Sequence, residues 1–142
     1  MNCKIIDLQE ILYPKKHETK YIYSYPTLND ELRDMIERSG YVHRLKLEYL
    51  KSLQFLENHK TNSVIVLPKK FEKLKNADGI CSIKLKGEKN IRVLFVYTRV
   101  ERQDIVILLN CFQEKDRTDY PPAIKVAKQR IIELETDQKR SK

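Results

Sequence analysis

Lys84 and Lys86 stand two residues apart in Cys81-Ser-Ile-Lys-Leu-Lys86, where Cys81, Ile83 and Leu85 fill the alternate, apolar positions. In an extended strand that spacing puts both ammonium groups on one face, about 7 Å apart along the chain. Arg92 opens the next apolar run, Ile91-Arg-Val-Leu-Phe-Val-Tyr97. Lys115, Arg117 and Tyr120 follow the run after that, Asp104-Ile-Val-Ile-Leu-Leu-Asn-Cys-Phe112. If the three runs lie side by side, several cations meet near one point. Such a cluster suits the grip of a phosphate and the stabilisation of charge in a transition state. It also lowers the pKa of a member lysine towards that of a base. Lys89, Lys125 and Lys128 extend the basic surface around it. Plainer readings stand beside this one. Lys84 and Lys86 fit the solvated face of an edge strand, Arg92 a partner for a carboxylate, and Tyr120 a packing residue at a helix start.

Other chemistries find little support. The three histidines, His17, His43 and His59, all precede the basic strands, which argues against histidine acid–base work and against a histidine metal site. Cys3, Cys81 and Cys111 are far apart and form no CxxC pair, so neither zinc nor a disulfide framework is expected. Cys81 and Cys111 read as small buried apolar residues with nothing basic placed to activate a thiolate. With only 3 glycines, a phosphate-cradling loop is not expected, and no cofactor is implied. No apolar run approaches the ~18 residues of a membrane span, and Met1 to Tyr13 lacks the pattern of a signal peptide. A reducing, cytoplasmic setting fits.

Charge is unevenly spread. Residues 1–59 hold 9 Lys/Arg and 9 Asp/Glu, so the whole net charge of +8 falls on residues 60–142. A concentrated positive field favours polyanionic partners.

The elements that must position these groups follow from periodicity. Lys20 to Tyr25 is aromatic and β-branched and reads as a strand ended by Pro26. Thr27 and Asp30 form a weak capping box for a helix from about Leu28 to Ser39, with Leu28, Leu32, Met35 and Ile36 inward and Gly40 as its stop. Val42, Leu45, Tyr49, Leu53 and Leu56 predict a second helix to about His59, making a helical hairpin. Val64 to Leu67 reads as a short strand or loop, and Pro68 to Lys75 as a helical turn with Phe71 and Leu74 inward. Asp78-Gly79 marks a turn. Three strands then form an antiparallel meander, with Arg99 to Gln103 as a charged hairpin loop. Pro121 and Pro122 open a C-terminal helix carrying Ile124, Ala127, Ile131 and Leu134, and residues 137–142 read as a frayed tail. The expected fold is a single α+β domain over 1–142, with an antiparallel sheet of about four strands, an N-terminal helical hairpin and a C-terminal helix. Residues 1–26 are poorly assigned beyond the first strand. One sheet face is expected to stay open for a ligand or partner.

Gly79 to Lys86, Ile91 to Tyr97, Ile107 to Lys115 and Pro121 to Arg130, in this order, resemble the RelE/HigB toxin superfamily, most of all its phage-related HigB-like branch. The resemblance spans about residues 68–135. It implies a small α+β domain like that of microbial ribonucleases. It also implies a toxin of a type II toxin–antitoxin system that cuts messenger RNA on the ribosome and is neutralised by a helix-turn-helix or acidic antitoxin. Cleavage by the 2′-hydroxyl route needs a base, a charge stabiliser and an acid. Carried over by motif, Lys84 and Lys86 are base and phosphate candidates and Arg92 the charge stabiliser. Lys115 or Arg117 is the acid or phosphate contact, and Tyr120 stacks on a base. Lys89, Lys125 and Lys128 are RNA-facing. The chain departs from the pattern at Ser82, Glu114, Asp116 and Asp119, which puts the acid assignment and the activity itself in question. A gyrase inhibitor resembling ParE, without catalysis, and a non-toxic nucleic-acid-binding phage accessory protein are the alternatives.

Overall fold

Apolar residues at helical spacing through Leu45, Tyr49, Leu53 and Leu56 give one face that must be buried, and in a computed structural model of the chain they lie at 1% exposure or less. Residues 5–87 and 90–140 are described, apart from the side chains of Ile6 and residues 137–140. The strands are β1 (Ile22–Ser24), β2 (Phe71–Lys73), β3 (Cys81–Leu85), β4 (Ile91–Val100) and β5 (Gln103–Gln113). The helices are α1 (Leu28–Glu37), α2 (Val42–His59), the single turn α3 (Ser63–Val66) and α4 (Tyr120–Arg140).

The fold is α+β, as expected, but the sheet has five strands in the order β1-β5-β4-β3-β2 and is mixed. β1 runs parallel to β5, with Ile22 opposite Val106, and the other pairings are antiparallel. The additional strand is β2. Phe71 and Leu74 are both buried, as the sequence suggests, but as part of a strand and its exit rather than a helical turn. Phe71 joins the core under α1 and α2, and Leu74 joins the core under α4. Residues an odd number apart in extended chain point to opposite faces, so one short segment feeds both cores. Val64 to Leu67 is neither strand nor loop but the turn α3 and its exit, with Ile65, Val66 and Leu67 exposed.

Neither face of the sheet is left open. Ile83, Val93, Phe95 and Leu108 pack against Leu28, Leu32, Ile36, Leu45 and Leu53 of the helical hairpin. On the other face Leu94, Ile107 and Leu109 pack against Tyr120, Ala123, Ala127 and Leu134 of α4. Strands covered on both sides read as near-continuous apolar runs, and β4 and β5 do so.

Local boundaries differ for simple reasons. The expected loop at Arg99 to Gln103 is a two-residue turn, because both Glu101 and Arg102 take positive φ (51° and 67°). That geometry matches the twist of a hairpin. Thr27 precedes α1 without a capping bond to its backbone, and its hydroxyl donates instead to Glu31. α4 runs on to Arg140, through much of the expected frayed tail.

Candidate nucleic-acid interface

Pairing of β3 with β4 sets Lys84 directly opposite Arg92, and pairing of β4 with β5 sets Arg92 opposite Phe112. Like charges directly opposite on neighbouring strands repel, and two carboxylates flank this pair. Glu114, one residue beyond β5, accepts a 2.7 Å bond from Arg92 Nε and another of 2.7 Å from the Tyr120 hydroxyl. Glu72, on β2, lies 3.8 Å from Lys84 Nζ and 3.8 Å from Arg117 Nη1. Lys84, Arg92, Arg117 and Tyr120 therefore do converge, beneath the first turn of α4. Two acidic residues are built into the cluster.

The assigned roles change accordingly. Arg92 is a buried group, its side chain 10% exposed and held by Glu114, so it is not a free charge stabiliser. Tyr120 is buried as well. Its ring meets Phe112 edge-on at 5.1 Å and has Arg117 5.3 Å from its centre, so it serves first as a packing residue at the helix start. Burial, then the bond to Glu114, raises the Tyr120 pKa. Burial works to raise that of Glu114, but the hydrogen bonds from Tyr120 and Arg92 outweigh it and hold the carboxyl below its ordinary value.

The exposed cations lie around this core. Lys86 and Lys115 are exposed, and Arg117 is 75% exposed at its side chain. The departures Asp116 and Asp119 serve the loop's own backbone. Asp116 accepts from Thr118 N at 2.7 Å, and Asp119 accepts from Lys115 N at 2.6 Å and from Asp116 N at 3.1 Å. This reciprocal cap shapes the turn that presents Arg117. Those bonds also lower the Asp119 pKa. Ser82 is fully buried opposite Glu72 and Leu94, its hydroxyl without a hydrogen-bond partner. A cavity of about 320 Å³ opens beside the cluster, lined by Glu72, Leu74, Lys75, Arg117, Tyr120 and Ile124. Lys128 pairs with Asp78 at 3.4 Å, and Lys125 borders a different hollow with Tyr25 and Glu133. Lys89 lies outside the described residues.

Glu72 lies in Pro68 to Lys75, whose apolar spacing suggests a helical turn, so nothing in the sequence marks it as facing Lys84. The one available signal for Arg92 was its position inside an apolar strand, where a charge needs a partner. Cys81 is buried and Cys111 partly so, and burial pushes their thiols up to about 11 and about 12. Among the described residues no group of three or more His, Cys, Asp or Glu is placed to hold a metal ion, and no helix is long and apolar enough to cross a membrane. No family model, curated protein or solved structure matches this chain.

Proposed function

We propose that the protein is an RNA-cleaving toxin of the RelE/HigB type, acting on messenger RNA at the ribosome in the cytoplasm and restrained by an antitoxin. The observation that carries this reading is the convergence of Lys84, Arg117 and Arg92 on two carboxylates, with Glu72 and Arg117 of the set lining a cavity. The roles differ from those the resemblance implies. Lys84, 3.8 Å from the Glu72 carboxylate, acts as a phosphate contact rather than the base. Glu72, which lines the cavity, takes the 2′-hydroxyl proton. Lys84 and Arg117 flank it and stabilise the phosphorane-like charge. Arg92, Glu114 and Tyr120 hold the strands that carry them, and exposed Lys86 and Lys115 bind neighbouring phosphates and protonate the leaving oxygen.

One observation favours a second reading. Lys84 and Arg92, the two cations facing each other across β3 and β4, each have a carboxylate partner, which suits nucleic-acid or gyrase binding without cleavage. The test is incubation of the purified chain with messenger RNA, with and without ribosomes, alongside Glu72→Gln and Lys84→Ala. Cleavage products that disappear in both variants support the nuclease. RNA bound but left intact supports a nucleic-acid-binding module, and neither cleavage nor binding of RNA overturns both and leaves gyrase binding, read by a supercoiling assay.

A further inference from the structure

A cavity of about 630 Å³ lies between α1 and α4, apart from the cavity beside Glu72. Met35 of α1 and Arg38 just past its end form one wall, Val126 and Arg130 of α4 the other, and Asn110 to Gln113 of β5 the floor. Its openness has a structural origin. β1 pairs with Val106 to Leu108 only, and the chain then leaves through Pro26 into α1. No described strand lies beside Leu109 to Gln113 on that side. The Glu114 amide donates to the Asn90 carbonyl at 2.7 Å, towards β4. Alternation then turns the N–H and C=O groups of Gln113 and Cys111 to the open side. The Leu109 carbonyl already accepts from Arg130 Nη1 at 2.8 Å.

Two further observations bear on what fits there. Asn110 is 4% exposed, lines the groove, and has its Oδ1 buried without a hydrogen-bond partner. Its Nδ2 is already spent on the Ala123 carbonyl. A buried acceptor left over in this way asks for a donor. The charge also selects. The groove is lined by Glu31, Asp34 and Asp119 against Arg38 and Arg130, one net negative on a chain of net charge +8. Glu31 and Arg130 are paired at 2.6 Å. A lining of that sign disfavours a nucleic acid and accepts a neutral or basic peptide.

We infer that this groove receives an extended, neutral-to-basic segment of a partner protein, added to the sheet as a strand beside β5. Such addition uses backbone hydrogen bonds for affinity and alternate side-chain contacts for selectivity. Cys111 and Gln113 supply the backbone groups, and Met35 and half-exposed Val126 supply apolar contacts on the two walls. The inference does not rest on the proposed nuclease.

The test screens the full chain against a displayed library of random nine-residue peptides, then follows amide hydrogen exchange with the selected peptides made synthetically. The expected result is exchange slowed about tenfold or more between Leu109 and Gln113, affinity about tenfold weaker for Val126→Glu, and loss of binding by peptides N-methylated at alternate positions. The N-methylated peptides keep the test independent of how the variant folds. Three results overturn it: no selected peptide protects these amides, RNA protects them instead, or sedimentation gives a dimer that Val126→Glu dissociates, which would assign the groove to a second copy of the chain.

Discussion

Replacing Glu114 by Gln removes one charge from a pair whose side chains are 10% and 18% exposed. Gln keeps the shape and still accepts a neutral hydrogen bond, so the loss is the charge-assisted part. Arg92 is left buried opposite Lys84 with no carboxylate on its own side. Breaking a buried pair at one partner costs about 3–5 kcal/mol, and the retained neutral bonds place this case near the lower end, about 3 kcal/mol. For a chain of this size that is a fall in Tm of about 6–12 °C at neutral pH. The pH dependence carries a sign of its own. The Glu114 pKa is lowered in the folded state, against the burial that works to raise it. Its contribution is therefore present above the unfolded carboxyl value near 4.5 and is lost as pH falls through the lower folded value. Urea unfolding of both forms between pH 3 and pH 7 should show a gap that is widest at neutral pH and narrows in acid. A double variant with Arg92→Met should recover part of the loss. A Tm change under about 2 °C at pH 7, or a gap of equal size at pH 3, would refute a buried, charge-assisted pair.

Arg130→Met removes both bonds to Glu31 and the bond to the Leu109 carbonyl that tie α4 to α1 and β5; with Glu31 partly exposed, thermal unfolding should show a loss of about 1–2 kcal/mol. The hairpin turn predicts the opposite sign: Glu101→Asn with Arg102→Gly relieves two positive-φ positions and should raise stability by about 1 kcal/mol, read as a higher midpoint in urea.

What the sequence discloses about the fold depends on how long each pattern persists. α2 keeps one period through eighteen residues, and its limits match the expected ones. β2 has three residues, and its apolar flanks, Phe71 and Leu74, are spaced as a helix would space them. They are so spaced because they serve opposite faces of the sheet, and no single-face pattern reveals that. The parallel placement of β1 is likewise a long-range matter, since three residues carry no information about direction. For the site, Lys84, Arg92, Arg117 and Tyr120 were found as a group because alternation and strand order bring them together. A carboxylate partner for Arg92 is among the readings the sequence offers and the structure supplies it in Glu114, whereas the pairing of Lys84 with Glu72 is not legible. Glu114 stood out only as a departure from a family pattern, and Glu72 belonged to a segment assigned to the wrong element. Type and spacing locate a charge on a face, whereas its partner across the sheet depends on register.

The pairing of Ile22 with Val106 joins positions about 80 residues apart in the chain. At ordinary rates of synthesis, roughly 5–20 residues per second, β1 waits several seconds for the strand it must lie against. During that interval the sheet has no completed centre, and the early segment depends on the α1–α2 hairpin for any burial it achieves. Closing such a distant contact also slows refolding of the chain, since loop entropy is spent before the contact is made. The first strand laid down is thus among the last to be secured, and nascent chains are most open to proteolysis until β5 has left the ribosome.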